Sequence, residues 1–268
     1  MLSHIDNSGI VRALGCKPTP FALKLLMGSS PSSEPLIPQS EWREFDYSLI
    51  HPLIVKDQGQ TSACQTHMDA SVTEGTRWVA GQPHVALSAW WPYGMLTGGQ
   101  DVGSSVGEGV HLISTKGLPP EADGDYGNFD PRTFTPEMAA DALRFRTDRS
   151  EVVTDELTLM SHLQRGRYCG IAIPVGNDFS NLDDEGVAPL DYRITCNHAV
   201  ALAPAAKRLK DRTWAVKLMN SWSPQWGLQG YAWIRLTDLF STRYVESFAS
   251  RSVRMDPKFP DLIPDITG

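Results

Sequence analysis

The apolar pattern of this chain changes period near residue 166, and that change limits the folds open to it. Before it, apolar positions recur at helical intervals: Met68, Val72, Gly75 and Val79 share one face, and residues 110–115, 136–146 and 154–165 carry similar patterning. After Gly166 the signal is β. Residues 170–175, 198–203, 213–219 and 231–236 read as strands; in the third, Trp214, Val216 and Leu218 alternate with Ala215, Lys217 and Met219. Helices first and strands later predict an α+β fold in two lobes, and 41% hydrophobic residues over 268 positions can supply its core. No internal repeat interrupts this plan.

Residues 1–45 are rich in Ser and Pro, notably at Ser29-Ser30-Pro31-Ser32-Ser33-Glu34-Pro35, and read as an extension or linker. The globular unit is expected over 46–255, with a helical lobe over 46–150, a β lobe over 151–255 and a tail over 256–268. The N-terminus has no basic-then-apolar leader, since Lys24 interrupts its longest apolar stretch, and no run approaches the ~20 apolar residues of a membrane span. The expected location is therefore the cytoplasm, with a virion or non-classical export as alternatives, and no membrane partner. Twenty-four basic against 31 acidic residues give a charge of -7, without the electrostatic footprint of a nucleic-acid binder. Lys207, Arg208 and Lys210 read as a solvated turn.

Four cysteines, Cys16, Cys64, Cys169 and Cys196, are too sparse for a disulfide framework. Free thiols are the expectation, and a Cys169–Cys196 bridge is the alternative. Cys64 stands out by position: Ser62 and Gln65 have the spacing of a capping box, which puts Cys64 in the first turn of the helix that follows. An ordinary thiol, with a pKa near ~8.5, is mostly protonated at neutral pH. Unpaired N–H groups and the positive end of the helix dipole favour a thiolate there. A nearby imidazole does more, forming an ion pair and later protonating the leaving amine. His198, in Asn197-His198-Ala199-Val200, and Asn220, in Asn220-Ser221-Trp222, supply a base and a side-chain amide to orient it. Gln58, six residues before the thiol, is placed to donate to an oxyanion together with the Cys64 N–H.

Other residues read more plainly. Cys64 and His67 at i, i+3 lack a second pair of ligand spacing, so no metal is expected. His111 and His162 read as ordinary helix residues. The run from Gly98 to Gly109 lacks the Lys-Ser/Thr ending of a phosphate loop, and no cofactor motif is present. The tryptophans read as core, except Trp222 and Trp226 beside Asn220.

Over roughly residues 50–240 the chain resembles the papain-like cysteine peptidases. Gln58, Cys64, His198 and Asn220 match that family's oxyanion glutamine, nucleophile, base and orienting asparagine. Asn220-Ser221-Trp222, Trp226-Gly227 and Gly230-Tyr231 match its C-terminal motif in order and spacing. The resemblance implies a helical lobe and an antiparallel β-barrel-like lobe with the cleft between them. It also implies that Trp222 shields the His–Asn hydrogen bond and that Gly103, Ser104 and Ser105 form a wall pairing with substrate backbone. Ile171, Cys196 and Ala199 would line the pocket for the side chain beside the cleaved residue, with Asn197 next to them. The implied activity is cleavage of peptide or protein substrates through an acyl-enzyme. Acyl transfer or amide hydrolysis through the same thioester is the second reading, and a silent binding or structural protein the third.

Three positions depart from the family pattern. Thr61 replaces a disulfide cysteine, Gln65 an aromatic residue, and Ser223-Pro224 the glycine after Asn-Ser-Trp. These suggest a divergent bacterial or viral member. The N-terminal segment is shorter than the propeptides of secreted relatives and lacks their helical motif, so activation by prodomain removal is not expected.

Overall fold

The computed structural model describes residues 2–20, 34–50, 53–241 and 246–253. Its strands are β1 (Leu2–Ile5), β2 (Val11–Leu14), β3 (Cys16–Lys17), β4 (Phe45–Asp46), β5 (Ser104–Ser105), β6 (Thr147–Val152), β7 (Cys169–Ile173), β8 (His198–Arg208), β9 (Trp214–Met219), β10 (Tyr231–Arg235) and β11 (Ser247–Val253). The α-helices are α1 (Cys64–Val79), α2 (Trp90–Thr97), α3 (Val106–Thr115), α4 (Pro136–Ala142), α5 (Glu156–Gln164) and α6 (Leu236–Leu239). The main sheet runs β10-β9-β8-β7-β11-β6, antiparallel throughout, with β4 added to the far end of β8. Among the described residues it is an open sheet, not the closed barrel that "barrel-like" suggests, because β10 and β6 end the path without pairing to each other.

Side-chain alternation on β8 explains how the lobes meet. Ala199, Ala201 and Ala203 face α1 together with Ala172, Met219 and Phe248, while Val200 and Leu202 face α5 with Ile171, Ile173, Val216 and Leu218. Methyl groups on the first face let the buried helix α1 lie close against the strand. The second face packs Leu159, Met160 and Leu163 of α5, all fully buried, each contributing about 1.5–3 kcal/mol by leaving water.

The strands expected at 170–175, 198–203, 213–219 and 231–236 are present with shifted ends, and β8 runs on to Arg208. The capping box expected at Ser62 and Gln65 does not form. The N-cap of α1 is Ala63, without a side-chain cap; the Ser62 N–H donates to Asp101 Oδ1 (2.8 Å), and Gln65 turns inward to Asp69 and Ser104. The capping box in this lobe belongs to α3, between Ser105 and Glu108. All four cysteines are free and buried, so no Cys169–Cys196 bridge is present. Residues 2–17, within the span read as an extension, form the β1–β2 hairpin and β3, and pack onto both lobes.

Candidate active site

Cys64 opens α1, fully buried, where the first-turn N–H groups have no intrahelical partner. His198 begins β8 and Asn220 follows β9, so the pairing of these neighbouring strands brings the two side chains together. His198 Nε2 donates to Asn220 Oδ1 at 2.8 Å. The Ser221 N–H donates to the same oxygen (2.9 Å), which fixes it as an acceptor and leaves the proton of a neutral His198 ring on Nε2. Nδ1, the nitrogen available as a base, is buried with no hydrogen-bond partner.

The loop bearing Asn220 is laced to the strand-like run before α1. The Gln58 N–H donates to Ser221 O (2.8 Å), the Ser223 N–H donates to Lys56 O (3.2 Å), and Asp57 bridges Trp222. Ser221 Oγ donates to Gln58 Oε1 (2.8 Å), turning the amide so that Nε2 is the outward donor. Trp222, fully buried, tilts over His198 with ring centroids 4.8 Å apart; Phe179 and Trp226 meet it edge-on at 5.6 and 5.7 Å. This apolar wall keeps water from the His198–Asn220 bond.

The chain's own N-terminal segment crosses these groups. Gln58 Nε2 donates to Ala13 O at 3.1 Å and to Thr61 O at 2.7 Å. Gly15 lies against the start of α1 so closely that a Cβ there would stand 2.0 Å from Ser62 O. Its carbonyl accepts from the Ser104 N–H (3.0 Å), and β3 continues in parallel register, Cys16 with Ser104 and Lys17 with Ser105. Gly103, at φ 72°, is required on the facing side, because its own Cβ would meet Gly15 O at 2.1 Å. Arg12, 1% exposed, clamps the hairpin: it donates to Asp6 (2.8 Å), Asp57 (2.6 Å), Gly59 O (3.3 Å) and Trp222 O (3.0 Å). His4 stacks on Trp222 at 5.1 Å and shares Ser180 Oγ with Trp226.

Burial shifts the charge state of the site. Burial lowers His198 to about 4, against the raising effect of Asn220, and lowers His4 as well. Burial pushes the Cys64 thiol up, opposed by backbone N–H groups of Ala199, Gly15, Gln65 and Cys64 itself. No hydrogen bond joins His198 Nδ1 to Cys64. The covered site therefore holds a neutral thiol and a neutral imidazole, rather than the ion pair a nucleophile needs.

Of the other positions expected at the site, Ser104 and Ser105 form β5 and carry β3, and Gly103 packs against Gly15. Asn197 O accepts the Cys16 N–H (3.0 Å), and Asn197's side chain is tied to Val175 N and O (2.8 and 3.1 Å). Cys196 lines a small pocket with Cys16, Ala172 and Glu246, and Ala199 shares the face of β8 turned towards Cys64. Ile171 is not there. Its side chain joins the opposite face of the sheet, and Ala172, one residue on, takes the pocket position because strand side chains alternate. Ala13–Cys16, Arg12, Ala172 and Glu246 also stand at the site. No local pattern marks them, since their role comes from docking across the fold. Among the described residues no His/Cys/Asp/Glu group is arranged to hold a metal ion, and no helix is long and apolar enough to cross a membrane.

The profile described as "Papain family cysteine protease" matches residues 37–239. No curated protein matches the sequence. Among solved structures, xylellain, a cysteine protease from Xylella fastidiosa, is similar at 19% identity and a TM-score of 0.73, covering 91% of this chain and 97% of that one. The ragweed pollen allergen Amb a 11, a cysteine protease in its proform, gives 20% and 0.66, with 91% and 75% covered. Bromelain from Ananas comosus, in complex with the inhibitor E64, gives 16% and 0.64, with 82% and 100% covered. With the profile spanning most of its length and the site assembled across the two lobes, the chain belongs to the papain family of cysteine proteases.

Proposed function

We propose that the protein hydrolyses peptide bonds in peptide or protein substrates through Cys64, and that the covered arrangement of its site is a latent state. In the open enzyme Cys64 attacks the carbonyl as a thiolate, and Gln58 Nε2 with the Cys64 N–H stabilises the oxyanion. His198 protonates the leaving amine and then draws a proton from water to hydrolyse the thioester. Asn220 orients the ring, and Trp222 keeps that hydrogen bond dry. The observation that carries this reading is the His198–Asn220 bond at 2.8 Å, which leaves the second ring nitrogen unpartnered, while the N–H of Ala199, the next residue of β8, reaches the thiol at the start of α1. Latency is supported by Ala13 O on Gln58 Nε2 and by Gly15 against the start of α1.

The test is alkylation of the full chain by an epoxide or iodoacetamide near pH 6, where an ordinary thiol reacts slowly. A Gly15→Val variant, in which the segment no longer fits, should label rapidly at Cys64 and cleave a peptide library, and Cys64→Ala should abolish both. A displaced segment with Cys64 still unreactive would refute the catalytic assignment.

A further inference from the structure

Building on the peptidase reading, we infer that Gln65 and Asp69 are positioning residues for the backbone of the substrate: together they anchor Ser104, whose N–H receives a carbonyl of the bound peptide whatever its side chains. The Ser104 N–H already holds such a group, the Gly15 carbonyl at 3.0 Å. Among the described residues β5 is two residues long and pairs with β3 alone. When the covering segment withdraws, that ladder goes with it, and so short a strand keeps no backbone partner to fix its course. What then holds it are side-chain ties to the helical lobe. The Gly103 N–H donates to Tyr93 Oη (3.0 Å), and Ser105 donates through N–H and Oγ to Glu108 of α3 (2.8 Å each). Ser104 itself is tied to α1: its Oγ donates to Gln65 Oε1 at 2.9 Å, and Gln65 Nε2 donates to Asp69 Oδ2. All three side chains of this relay are buried.

The relay has a direction. A side-chain amide has a donor end and an acceptor end, and a half-turn exchanges them. Asp69, one turn further along α1, takes the donor end of Gln65, so the acceptor end faces Ser104 Oγ. Oδ2 accepts from the amide whether the carboxyl group is ionised or neutral. Burial pushes the Asp69 carboxyl well up, against the lowering effect of Gln65, and its Oδ1 has no hydrogen-bond partner among the described residues. Burying such a group costs free energy that packing alone does not call for. The neighbouring helix is shaped to admit it: a Cβ at Gly109 of α3 would stand 1.6 Å from Gln65 Nε2 and 2.2 Å from Asp69 Oδ2, both far inside contact distance. Gln65 is also one of the positions that depart from the family pattern, so this anchor is a feature of this chain.

The experiment uses the full-length Gly15→Val protein and two nitrophenyl esters. One is a tripeptidyl ester; the other carries only the reacting carbonyl and offers Ser104 nothing to hold. Gln65→Met keeps the length of the side chain and removes its acceptor. It should raise KM for the tripeptidyl ester at least tenfold with kcat within about twofold, and by the same factor when the side chains of the tripeptide are changed. On the simple ester kcat/KM should stay within about twofold. Asp69→Leu should repeat this pattern, while Asp69→Asn, which keeps an acceptor for Gln65 Nε2, should hold KM within about threefold of the parent. The Gln65→Met/Asp69→Leu double variant should lose no more than either single one, since both cut the same relay. An unchanged KM for the tripeptidyl ester in Gln65→Met overturns the inference. So does an equal loss on both esters, which would mean damage to the adjoining Cys64, or an Asp69→Asn variant no better than Asp69→Leu. If neither ester turns over in the Gly15→Val protein, the peptidase reading fails instead, and the anchor is judged in the full-length chain without that change. There, Gln65→Met should speed hydrogen exchange of the Ser104 amide at least tenfold and Asp69→Asn should not; no change in Gln65→Met, or equal effects, overturns the inference.

Discussion

Gln58 Nε2 donates to the Ala13 carbonyl at 3.1 Å, so a peptide oxygen of the chain's own N-terminal segment occupies the donor proposed to hold the reaction's oxyanion. The hold depends on Gly15, where a Cβ would stand 2.0 Å from Ser62 O and 2.5 Å from Ser62 Cβ. Neither neighbour can yield, one being backbone and the other the root of a buried side chain. Gly15→Val should therefore raise the rate of Cys64 alkylation at least tenfold, followed by intact mass against time, without lowering the thermal midpoint of the main sheet. Unchanged labelling would show that the segment does not gate the thiol.

Acid should loosen the same cover. His198 is lowered to about 4 by burial and His4 is lowered too, so both rings are neutral in the covered state and bind a proton more readily when uncovered. The stability that His198 contributes to the covered state is whole above its ordinary value near 6.5 and is lost as the pH falls from there towards 4, and His4 acts in the same direction. For His198 that amounts to ~3 kcal/mol. Histidine ring resonances followed by NMR should give a His198 midpoint near 4 in the wild type. In Gly15→Val it should move to 6.5 or above, and identical midpoints would contradict the assignment of the shift to burial beneath the segment.

In the proposed mechanism Asn220 is a positioning residue whose effect passes through the His198 ring. Asn220→Ala in the Gly15→Val background should lower kcat about 10- to 100-fold, a part of the ~10²–10⁴-fold that a positioned acid–base group supplies. KM should stay within about twofold. Asn220→Asp, which keeps an acceptor on Nε2, should recover activity and move the acidic limb of the pH–rate profile upward, because a carboxylate favours the imidazolium. A purely structural role would move neither the profile nor the recovery.

Ser223 holds φ at 70°, a left-handed conformation that costs a residue with a Cβ about 1 kcal/mol. The family pattern noted above has glycine after Asn-Ser-Trp, a residue that takes this conformation without the cost of a Cβ. The Ser223 N–H and the Trp226 N–H to the Ser223 carbonyl (3.3 Å) fix the turn beside Asn220. Ser223→Gly should raise the melting temperature by about 2–4 °C with kcat/KM unchanged, measured by calorimetry and peptide turnover. A fall in melting temperature would place more weight on the Ser223 hydroxyl, which accepts the Gln225 N–H (3.3 Å), than on backbone strain.

Much of this protein is legible in its sequence. The switch from helical to two-residue period marks the α+β class and four strands, and short motifs single out Cys64 at a helix start, the bonded pair His198 and Asn220, and Gln58, which is tied to the loop that follows Asn220. Such signals survive in one dimension because periodicity and turn geometry act within a few residues. Ile171 faces α5 while Ala172 lines the pocket; a strand's period is readable in sequence, but which face looks inward depends on what packs there. Ser62 and Gln65 had the spacing of a cap, yet Asp101 and Ser104 claimed their groups from elsewhere in the chain. The cover over the site is the largest such case. Ala13–Cys16 carries no mark of its task, because Gln58, Ser62, Ser104 and Asn197 meet it only when the two lobes close around the segment. The sequence alone determined the chemical parts and their local geometry. The tertiary structure decided that they are held neutral and covered, since burial and the docking of a distant segment set their charge and their access to water.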